Sequence, residues 1–312
     1  MKKYLSLIMT LALLMCMTAC SANPKAPNDS GDNQTTTTTT QNGNTITIQT
    51  HLETDYTPIA LYSFDYNVVT TATPNGFMLI DTEGKQIGEN SYHMLYSFGE
   101  DGRAKAQLEP DSDWVWIDTT GVVVGKAEAP TVGNTTARYD SSETTGVKKD
   151  DEYLFGIKDV TTGDLITQPI FEWISDLSSP MNYAVLAESE HPQVMISPRG
   201  EVIVTLPDEA TDAYAMDAHI VCKYQDGSYR LLDMQGTVLN QTAFKSISSF
   251  SDGVAVVTIG TKMGLIAADG KMVVEPQIEI DVPIDNNTPL ICNEYIVCVQ
   301  KEQLTFYKIT KS

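Results

Sequence analysis

The chain has 312 residues, of which 42% are hydrophobic and 8% aromatic, and this amount of apolar material excludes a wholly disordered protein. Twenty Lys and Arg residues stand against 41 Asp and Glu residues, giving a net charge of −21. Because such a surface repels phosphate backbones, we expect a folded protein that does not bind nucleic acid.

The N-terminus has the pattern of an export signal. Lys2 and Lys3 precede an apolar run at residues 5–15, which is too short to span a bilayer comfortably. The run ends in Met17-Thr18-Ala19-Cys20, which resembles a bacterial lipobox, whose cysteine is diacylated and becomes the mature N-terminus. We therefore predict a signal peptide at residues 1–19 and lipidation of Cys20. Two alternatives remain open, cleavage near Ala19 or Ala22 and an uncleaved anchor.

Residues 20–50 are rich in Asn and Thr and include an unbroken threonine run at residues 35–40. A segment with so few large apolar residues buries too little surface to fold, so we predict a disordered tether. Its root-mean-square reach is about 30 Å for roughly 30 flexible residues. The expected location is the extracytoplasmic face of the cell membrane of a Gram-positive bacterium, with the membrane as partner through the lipid.

From residue 51 onward, Val, Ile, Thr, Tyr and Phe occur in short runs broken by Gly, Asp and Asn, which is an all-β pattern. A turn recurs along this region, and its glycines lie 37, 42, 37, 36 and 34 residues apart. These glycines are Gly84, Gly121, Gly163, Gly200, Gly236 and Gly270. We expect each to adopt positive φ in a hairpin loop, and we infer tandem β-hairpin or meander repeats of about 36 residues.

A bulky side chain recurs three residues before the apolar residue that precedes each turn. Phe77, Trp114, Tyr229 and Met263 form this column, Gln193 is the exception, and an insertion displaces Phe155. Because no single 36-residue hairpin buries its own face, we expect the column to fill the space between consecutive units. A ligand-binding platform of aromatic rings is the alternative interpretation.

Several units resemble the bacterial WG-repeat (KWG-type) family. Lys262-Met263-Gly264-Leu265-Ile266 and the strand from Asp113 to Asp118 keep most of the family's Lys-Trp-Gly-aromatic-Ile-Asp strand, and Phe250-Ser251-Asp252-Gly253 keeps its Phe-x-x-Gly entry. The Trp-Gly pair is never intact, and Phe155-Gly156-Ile157 comes nearest to it. The resemblance covers residues 60–280. It implies a repeat scaffold outside the cell and supplies no catalytic residues.

The number of turns predicts the architecture. Six turns and one atypical end, the partial unit at residues 295–309, indicate a six- or seven-bladed β-propeller with the repeat domain at residues 51–312. An open β-solenoid capped at both ends is the alternative. The irregular segment at residues 131–151 is either a long loop or a boundary between two subarrays.

The chain has five cysteines. Cys16 lies in the predicted signal peptide and Cys20 is the predicted lipidation site, which leaves Cys222, Cys292 and Cys298. An odd remainder means at least one free thiol, and a disulfide from Cys222 to either of the others stays open. If the segment from Cys292 to Cys298 is extended, both side chains lie on one face of a strand, too far apart to bridge. We expect all three to serve as small buried hydrophobic residues.

No pattern of catalytic, cofactor-binding or metal-ligating residues stands out. His51, His93, His191 and His219 are scattered, and the sequence contains no Cys-x-x-Cys pair, nucleophile elbow or phosphate loop. The acidic stretches at residues 111–113 and 281–287 lack the full spacing of a calcium loop, so we interpret them as solvated turns. We therefore predict no metal and no cofactor.

Aromatic residues offer the remaining chemistry, because 14 tyrosines and three tryptophans provide stacking surfaces for sugars or peptides. Trp114 and Trp116 share a face if they lie on one strand, and we expect one of them in the core. The favoured function is a non-enzymatic binding or scaffolding module for an envelope protein or a cell-wall glycan. The alternative is a propeller enzyme that gathers carboxylates from distant blades to act on envelope glycans or peptides.

Overall fold

The computed structural model describes residues 36–41, 44–88, 91–130, 141–149, 152–175, 177, 179–281 and 288–311. These residues form an all-β structure of antiparallel sheets, which confirms the predicted fold class. Within them, no helix has the length and apolar character needed to cross a membrane. The signal peptide and Cys20 lie outside the described residues.

A complete unit is a four-stranded antiparallel sheet whose strands are neighbours in chain order, as in β19 to β22. We call such a sheet a blade and its strands A to D. Blade 1 comprises β3 (Ala60–Asp65), β4 (Val68–Thr73) and β5 (Gly76–Asp81). Blade 2 comprises β6 (Met94–Leu95), β7 (Arg103–Gln107), β8 (Trp114–Asp118) and β9 (Val123–Lys126). Blade 3 comprises β10 (Ser142–Lys149), β11 (Glu152–Asp159) and β12 (Leu165–Ile174).

The remaining strands continue the same pattern through blades 4 to 7. Blade 4 comprises β13 (Asn182–Leu186), β14 (Gln193–Ile196) and β15 (Val202–Thr205), and blade 5 comprises β16 (Ala210–Met216), β17 (His219–Tyr224) and β18 (Tyr229–Asp233). Blade 6 comprises β19 (Ser246–Ile247), β20 (Val254–Ile259), β21 (Lys262–Ala267) and β22 (Met272–Glu279). Blade 7 comprises β23 (Leu290–Cys292), β24 (Tyr295–Gln300), β25 (Gln303–Lys311), β2 (Asn44–Glu53) and β1 (Thr36–Gln41).

The described residues therefore form a propeller of seven blades, at the upper end of the predicted count. Blade 7 brings the two ends of the described chain together, because β2 pairs with β25 in an antiparallel register. This pairing argues against the open solenoid, whose first and last strands would lie at opposite ends of the array. Blades 3 and 4 share one sheet, since the end of β12 pairs with β13 and supplies the A strand of blade 4.

Apolar clusters fill the spaces between neighbouring blades. Six clusters join blades 1 and 2, 3 and 4, 4 and 5, 5 and 6, 6 and 7, and 7 and 1. In the same order, each cluster contains one of these residue pairs: Leu79 and Ile117, Ile157 and Ile196, Met195 and Ile220, Val221 and Ile266, Met263 and Tyr307, Phe64 and Phe306. None of these clusters of described residues spans the junction of blades 2 and 3, where residues 131–140 lie outside the described chain.

The recurring turn has the predicted conformation. All six of its glycines have positive φ, between 73° and 83°. At the turn of blade 5, Asp233 Oδ1 accepts hydrogen bonds from the backbone N–H groups of Gln235 and Thr237 at 2.9 and 2.8 Å. Gly236 N–H also donates to the carbonyl of Asp233 at 3.0 Å. The side chain thus supports the backbone turn, which explains why this part of the repeat keeps its sequence pattern.

The column of bulky residues lies largely where predicted. Met263 is buried between blades 6 and 7, while Phe77 and Tyr229 pack against the clusters that join blades 1 to 2 and 5 to 6. Trp114 differs, because it is partly exposed and contacts the ring of Tyr96 at 5.7 Å. Trp116 is also partly exposed, so the expectation that one of the two tryptophans lies in the core was wrong.

Two predictions near the chain ends need correction. Part of the predicted tether is strand, since β1 and residues 44–50 of β2 lie within residues 20–50 and Ile48 is fully buried against blades 6 and 7. The alternation of Ile46 and Ile48 with Thr explains this, because it gives β2 one apolar face. Residues 295–309 are likewise not a partial unit at the end of the array, because β24 and β25 form the centre of blade 7.

Candidate ligand-binding pocket

A cavity of about 490 Å³ lies where the A strands of four blades converge. Its wall combines the end of β3 in blade 1, residues 98–100 of blade 2, residues 248–251 of blade 6 and β23 of blade 7. These are the segments that lead into the A–B turns, so the cavity sits at the end of the ring that carries those turns. Each of these four blades supplies only three to five lining residues, so the site requires all four blades to pack together.

Aromatic side chains form much of the wall. Tyr62 and Tyr66 are about half exposed, with 50% and 49% of their surface accessible, whereas Phe98 is buried beneath them. The ring of Tyr66 meets Phe98 edge to face at 6.4 Å. On the opposite side, Phe250 stacks on His219 of blade 5, with ring centroids 4.8 Å apart. Both sides of the cavity therefore present a supported aromatic ring to solvent.

Polar contacts tie the A–B turns of the four blades together around the cavity. Tyr66 hydroxyl lies 3.0 Å from the carbonyl of Gly99 and 2.9 Å from that of Glu100, and this links blade 1 to blade 2. Asn293 of blade 7 donates from its side-chain amide to Asn67 Oδ1 at 3.0 Å and from its backbone N–H to Ser251 Oγ at 2.9 Å. These bonds hold the rim of the pocket in one arrangement.

Tyr66 occupies an unusual backbone position for a bulky residue. Both Tyr66 and Asn67 have positive φ, 54° and 61°, in the two-residue turn between β3 and β4. Consecutive residues with positive φ match the twist of a hairpin, but glycine and asparagine normally fill them. The Tyr66 side chain compensates for this strained position through its hydroxyl contacts with blade 2 and its packing on Phe98.

The serines of the wall differ in their hydrogen bonding. Ser248 Oγ donates to the carbonyl of Ser249 and accepts from the N–H of Val256, and Ser251 Oγ accepts from Asn293. Ser63 is 8% exposed, and its Oγ has no hydrogen-bond partner among the described residues. A buried hydroxyl without a partner costs stability, so Ser63 is the one wall serine whose polar group is buried and unsatisfied.

The electrostatic character of the cavity is acidic. Asp65 and Glu100 line it, and none of the lining residues is Lys, Arg or His. Neither carboxylate forms an ion pair with a described residue. Burial raises the pKa of the Cys292 thiol, while the N–H of Asn67 opposes this shift and the Asp65 carboxylate reinforces it. The site thus holds a neutral thiol and two carboxylates, which is no arrangement for a cysteine nucleophile.

The residues singled out in the sequence are distributed differently. Trp114, Trp116 and Trp173 all lie outside this cavity, and so do the four histidines. His191 pairs with Asp208 at 2.9 Å, and Nε2 of His219 donates to the carbonyl of Ala268 at 2.7 Å. The described residues contain no group of three or more His, Cys, Asp or Glu side chains placed to hold a metal ion.

The described cysteines are all free, so no disulfide from Cys222 forms. Cys222 and Cys298 are buried in the cores of blades 5 and 7, as expected for small hydrophobic residues. Cys292 is only partly buried and lines the cavity. The segment from Cys292 to Cys298 is not one extended strand, because a hairpin turn at Asn293 places the two cysteines on different strands.

Sequence reasoning missed most of the pocket residues. Phe250 was recognised only as the first residue of the Phe-x-x-Gly entry, and Tyr62, Ser63 and Asp65 were not singled out. The signal available was positional, since each lining segment directly precedes an A–B turn. The convergence of those turns depends on closure of the ring, which local sequence does not report.

Comparison with known proteins gave structural likeness only. No family model and no curated protein matches the chain. The structure is similar to BamB from Moraxella catarrhalis (11% identity, 89% of this chain and 99% of that chain covered, TM-score 0.32). It is also similar to the WD40 β-propeller domain of Doa1 (14% identity, 81% of this chain and 93% of that chain covered, TM-score 0.38). A third similar structure is virginiamycin B lyase from Staphylococcus aureus (12% identity, 85% of this chain and 99% of that chain covered, TM-score 0.34).

Proposed function

We propose that this protein is a binding or scaffolding module held on the extracytoplasmic face of the cell membrane by a lipid on Cys20. In this proposal, the pocket between blades 1, 2, 6 and 7 receives part of an envelope protein or a cell-wall glycan. The role is non-enzymatic, so the bound molecule leaves unchanged.

The observation that carries the proposal is the aromatic wall of the 490 Å³ cavity. Tyr62 and Tyr66 expose about half of their surface there, so both rings are accessible to a ligand. Rigid aromatic anchors beside a few polar groups are typical of recognition sites. The fold supplies the rest, because a ring of blades presents loops from distant parts of the chain around one centre.

The pocket is tested by a matched pair of tyrosine variants in the full-length protein in mild detergent. Tyr62 and Tyr96 are similarly exposed, at 50% and 46%, and their rings contact one aromatic neighbour each, at 5.2 and 5.7 Å. Only Tyr62 lines the cavity. We expect Tyr62→Ala to weaken binding to envelope proteins or purified cell-wall glycan about fivefold or more, as for a hot-spot aromatic, and Tyr96→Ala to leave it unchanged.

Equal binding by the Tyr62→Ala variant and the parent protein would contradict a role for the pocket. Mass spectrometry of the bound molecule before and after incubation tests the non-enzymatic role. A cleaved or modified product would instead favour the propeller enzyme, with Asp65 and Glu100 as the first carboxylates to replace.

The membrane anchor is tested separately by metabolic labelling with a radioactive fatty acid. We expect label on the parent protein and none on the Cys20→Ala variant. An unlabelled parent protein that remains in the membrane would contradict lipidation and favour an uncleaved anchor. This outcome leaves the pocket assay unaffected, because that assay measures binding to the folded domain.

A further inference from the structure

We infer that the pocket recognises a primary ammonium group, presented by the lysine side chain of a peptide segment. This inference rests on the proposed function, because it names the chemistry of the ligand at the same cavity. Three independent features of the wall support it: its charge, one unsatisfied buried hydroxyl and its apolar rings.

The charge of the wall selects against anions and favours a cation. Asp65 and Glu100 bring two carboxylates to the cavity, no basic side chain balances them there, and neither has an ion-pair partner among the described residues. An ammonium group entering the cavity gains charge-assisted hydrogen bonds that the empty site lacks.

Ser63 supplies the second feature. This residue lines the cavity and is more than nine-tenths buried, and its Oγ lacks a partner among the described residues. Ser63 and Asp65 lie two residues apart on β3, so their side chains point to the same side of the strand. An ammonium group has three donors, and it can therefore bond both the unsatisfied hydroxyl and the neighbouring carboxylate.

The apolar part of the wall distinguishes a lysine from an amino sugar. Tyr62, Tyr66 and Phe250 offer accessible ring surface for a four-carbon side chain, and an aromatic face also attracts the ammonium. A sugar ring instead needs several hydrogen-bonding groups for its hydroxyls. Ser248 and Ser251 already use their hydroxyls within the protein, so the wall has few such groups to offer.

The test titrates the full-length protein in mild detergent with the peptide acetyl-Ala-Lys-Ala-amide. Two matched peptides carry either Nε-acetyllysine or norleucine, and a fully deacetylated glucosamine oligomer provides the sugar ammonium. We expect the lysine peptide to bind about tenfold more tightly than either neutral peptide and more tightly than the glucosamine oligomer. Equal affinity for the three peptides, or a preference for the glucosamine oligomer, would overturn the inference.

Protein variants locate the ammonium in the pocket. Asp65→Asn and Glu100→Gln are expected to weaken binding of the lysine peptide severalfold, whereas Glu188→Gln, at an exposed carboxylate outside the cavity, leaves it unchanged. Ser63→Ala is expected to weaken binding without lowering Tm, because the hydroxyl it removes has no partner in the folded protein. Undiminished binding by all three pocket variants would contradict this location.

The two proposals fail in different ways. If Tyr62→Ala reduces capture of an envelope component but lysine and norleucine peptides bind alike, the pocket is a binding site for another chemistry and only the ammonium inference is lost. If Tyr62→Ala changes nothing and the lysine peptide does not bind, both proposals are wrong.

Discussion

Ile48 of the first long strand lies directly opposite Ile309 of the last strand, in the antiparallel pair of β2 and β25. Both side chains are buried in the cluster that also contains Met263 of blade 6. Blade 7 is therefore assembled from both ends of the described chain. Its formation has a high entropic cost of loop closure, because the partner strands lie so far apart in sequence.

Removing this contact should destabilise the whole ring. Ile48 is completely buried, so Ile48→Ala is expected to lower the free energy of unfolding by about 2–5 kcal/mol, the usual cost of truncating a buried isoleucine. The neighbouring Gln49 is partly exposed and points to the other side of β2, and Gln49→Ala should change stability little. Denaturant titration followed by tryptophan fluorescence measures both.

A deletion extends the same argument. A chain that starts at residue 51 lacks most of β2, and we expect it to unfold at markedly lower denaturant than one that starts at residue 36. Equal midpoints for the two chains would contradict closure of blade 7 by the N-terminal strand.

Gly264, at the position of the glycine in the family's Trp-Gly pair, is required by close backbone packing. A Cβ atom at Gly264 would come within 2.4 Å of the carbonyl oxygen of Val274 and 2.8 Å of the backbone nitrogen of Pro276. We expect Gly264→Ala to cost about 1–3 kcal/mol, because strand D of the blade must move away from strand C. Gly125 on β9 has open space around it, so Gly125→Ala is the matched control.

A thermal melt checks this pair of variants. Equal loss of Tm in Gly264→Ala and Gly125→Ala would indicate a general intolerance of side chains in the strands rather than a close approach at one point. The same geometry recurs at Gly156, where the nearest atoms belong to Thr167, Gln168 and Pro169. The residues that resemble the WG-repeat motif most closely thus share one physical requirement.

The repeat could be predicted because its signals are local. A glycine ends each turn, and Asp233 with Gly236 shows that the hydrogen bonds of such a turn lie within five residues. The bulky column was equally visible, since Phe77 and Met263 sit at a fixed distance from their turns. Length and spacing then limited the number of blades to six or seven.

Ring closure and the pocket could not be predicted in this way. The pairing of Ile48 with Ile309 and the contact of Asn293 with Asn67 join residues more than 200 positions apart. A threonine-rich segment has the composition of a tether whether or not a sheet edge is available to it. The alternation of Ile46 and Ile48 with Thr permits a strand, but residues 36–50 alone do not show that β25 offers the edge with which β2 pairs.

The cysteines should differ sharply in reactivity. Burial raises the pKa of Cys222 to about 12 and also raises that of Cys298, so neither thiol ionises at pH 8. Cys292 is partly exposed at the pocket, although its pKa is raised as well. A thiol-reactive chromophore should label Cys292 slowly in the native protein and the other two only after unfolding.

Counting thiols in denaturant also reports on the N-terminus. A lipidated Cys20 has no free thiol, so the mature protein should show three, while an unmodified chain cleaved near Ala19 shows four. Rapid labelling of two or more thiols in the native state would contradict the burial of Cys222 and Cys298.

The turn aspartates should make the thermal stability of the fold depend on pH. Hydrogen bonds from the Thr237 and Gln235 N–H groups lower the pKa of Asp233, and similar bonds lower those of Asp118 and Asp159. A carboxylate whose folded-state pKa is depressed stabilises the fold above its unfolded pKa of about 3.9. That contribution is lost as the pH falls through the folded-state pKa, so Tm should drop below about pH 4.

Two substitutions at Asp233 separate charge from hydrogen bonding. Asp233→Asn keeps an oxygen acceptor for Thr237 and Gln235 but cannot be protonated, so its Tm should fall less steeply between pH 5 and pH 2 than that of the parent protein. Asp233→Ala removes the acceptor and should lower Tm already at pH 7, because the N–H groups of the turn lose their partner. Thermal melts across this pH range measure both effects. An unchanged pH slope in Asp233→Asn would mean that another group controls acid unfolding, whereas a normal Tm for Asp233→Ala would show that Gly236 alone suffices to form the turn.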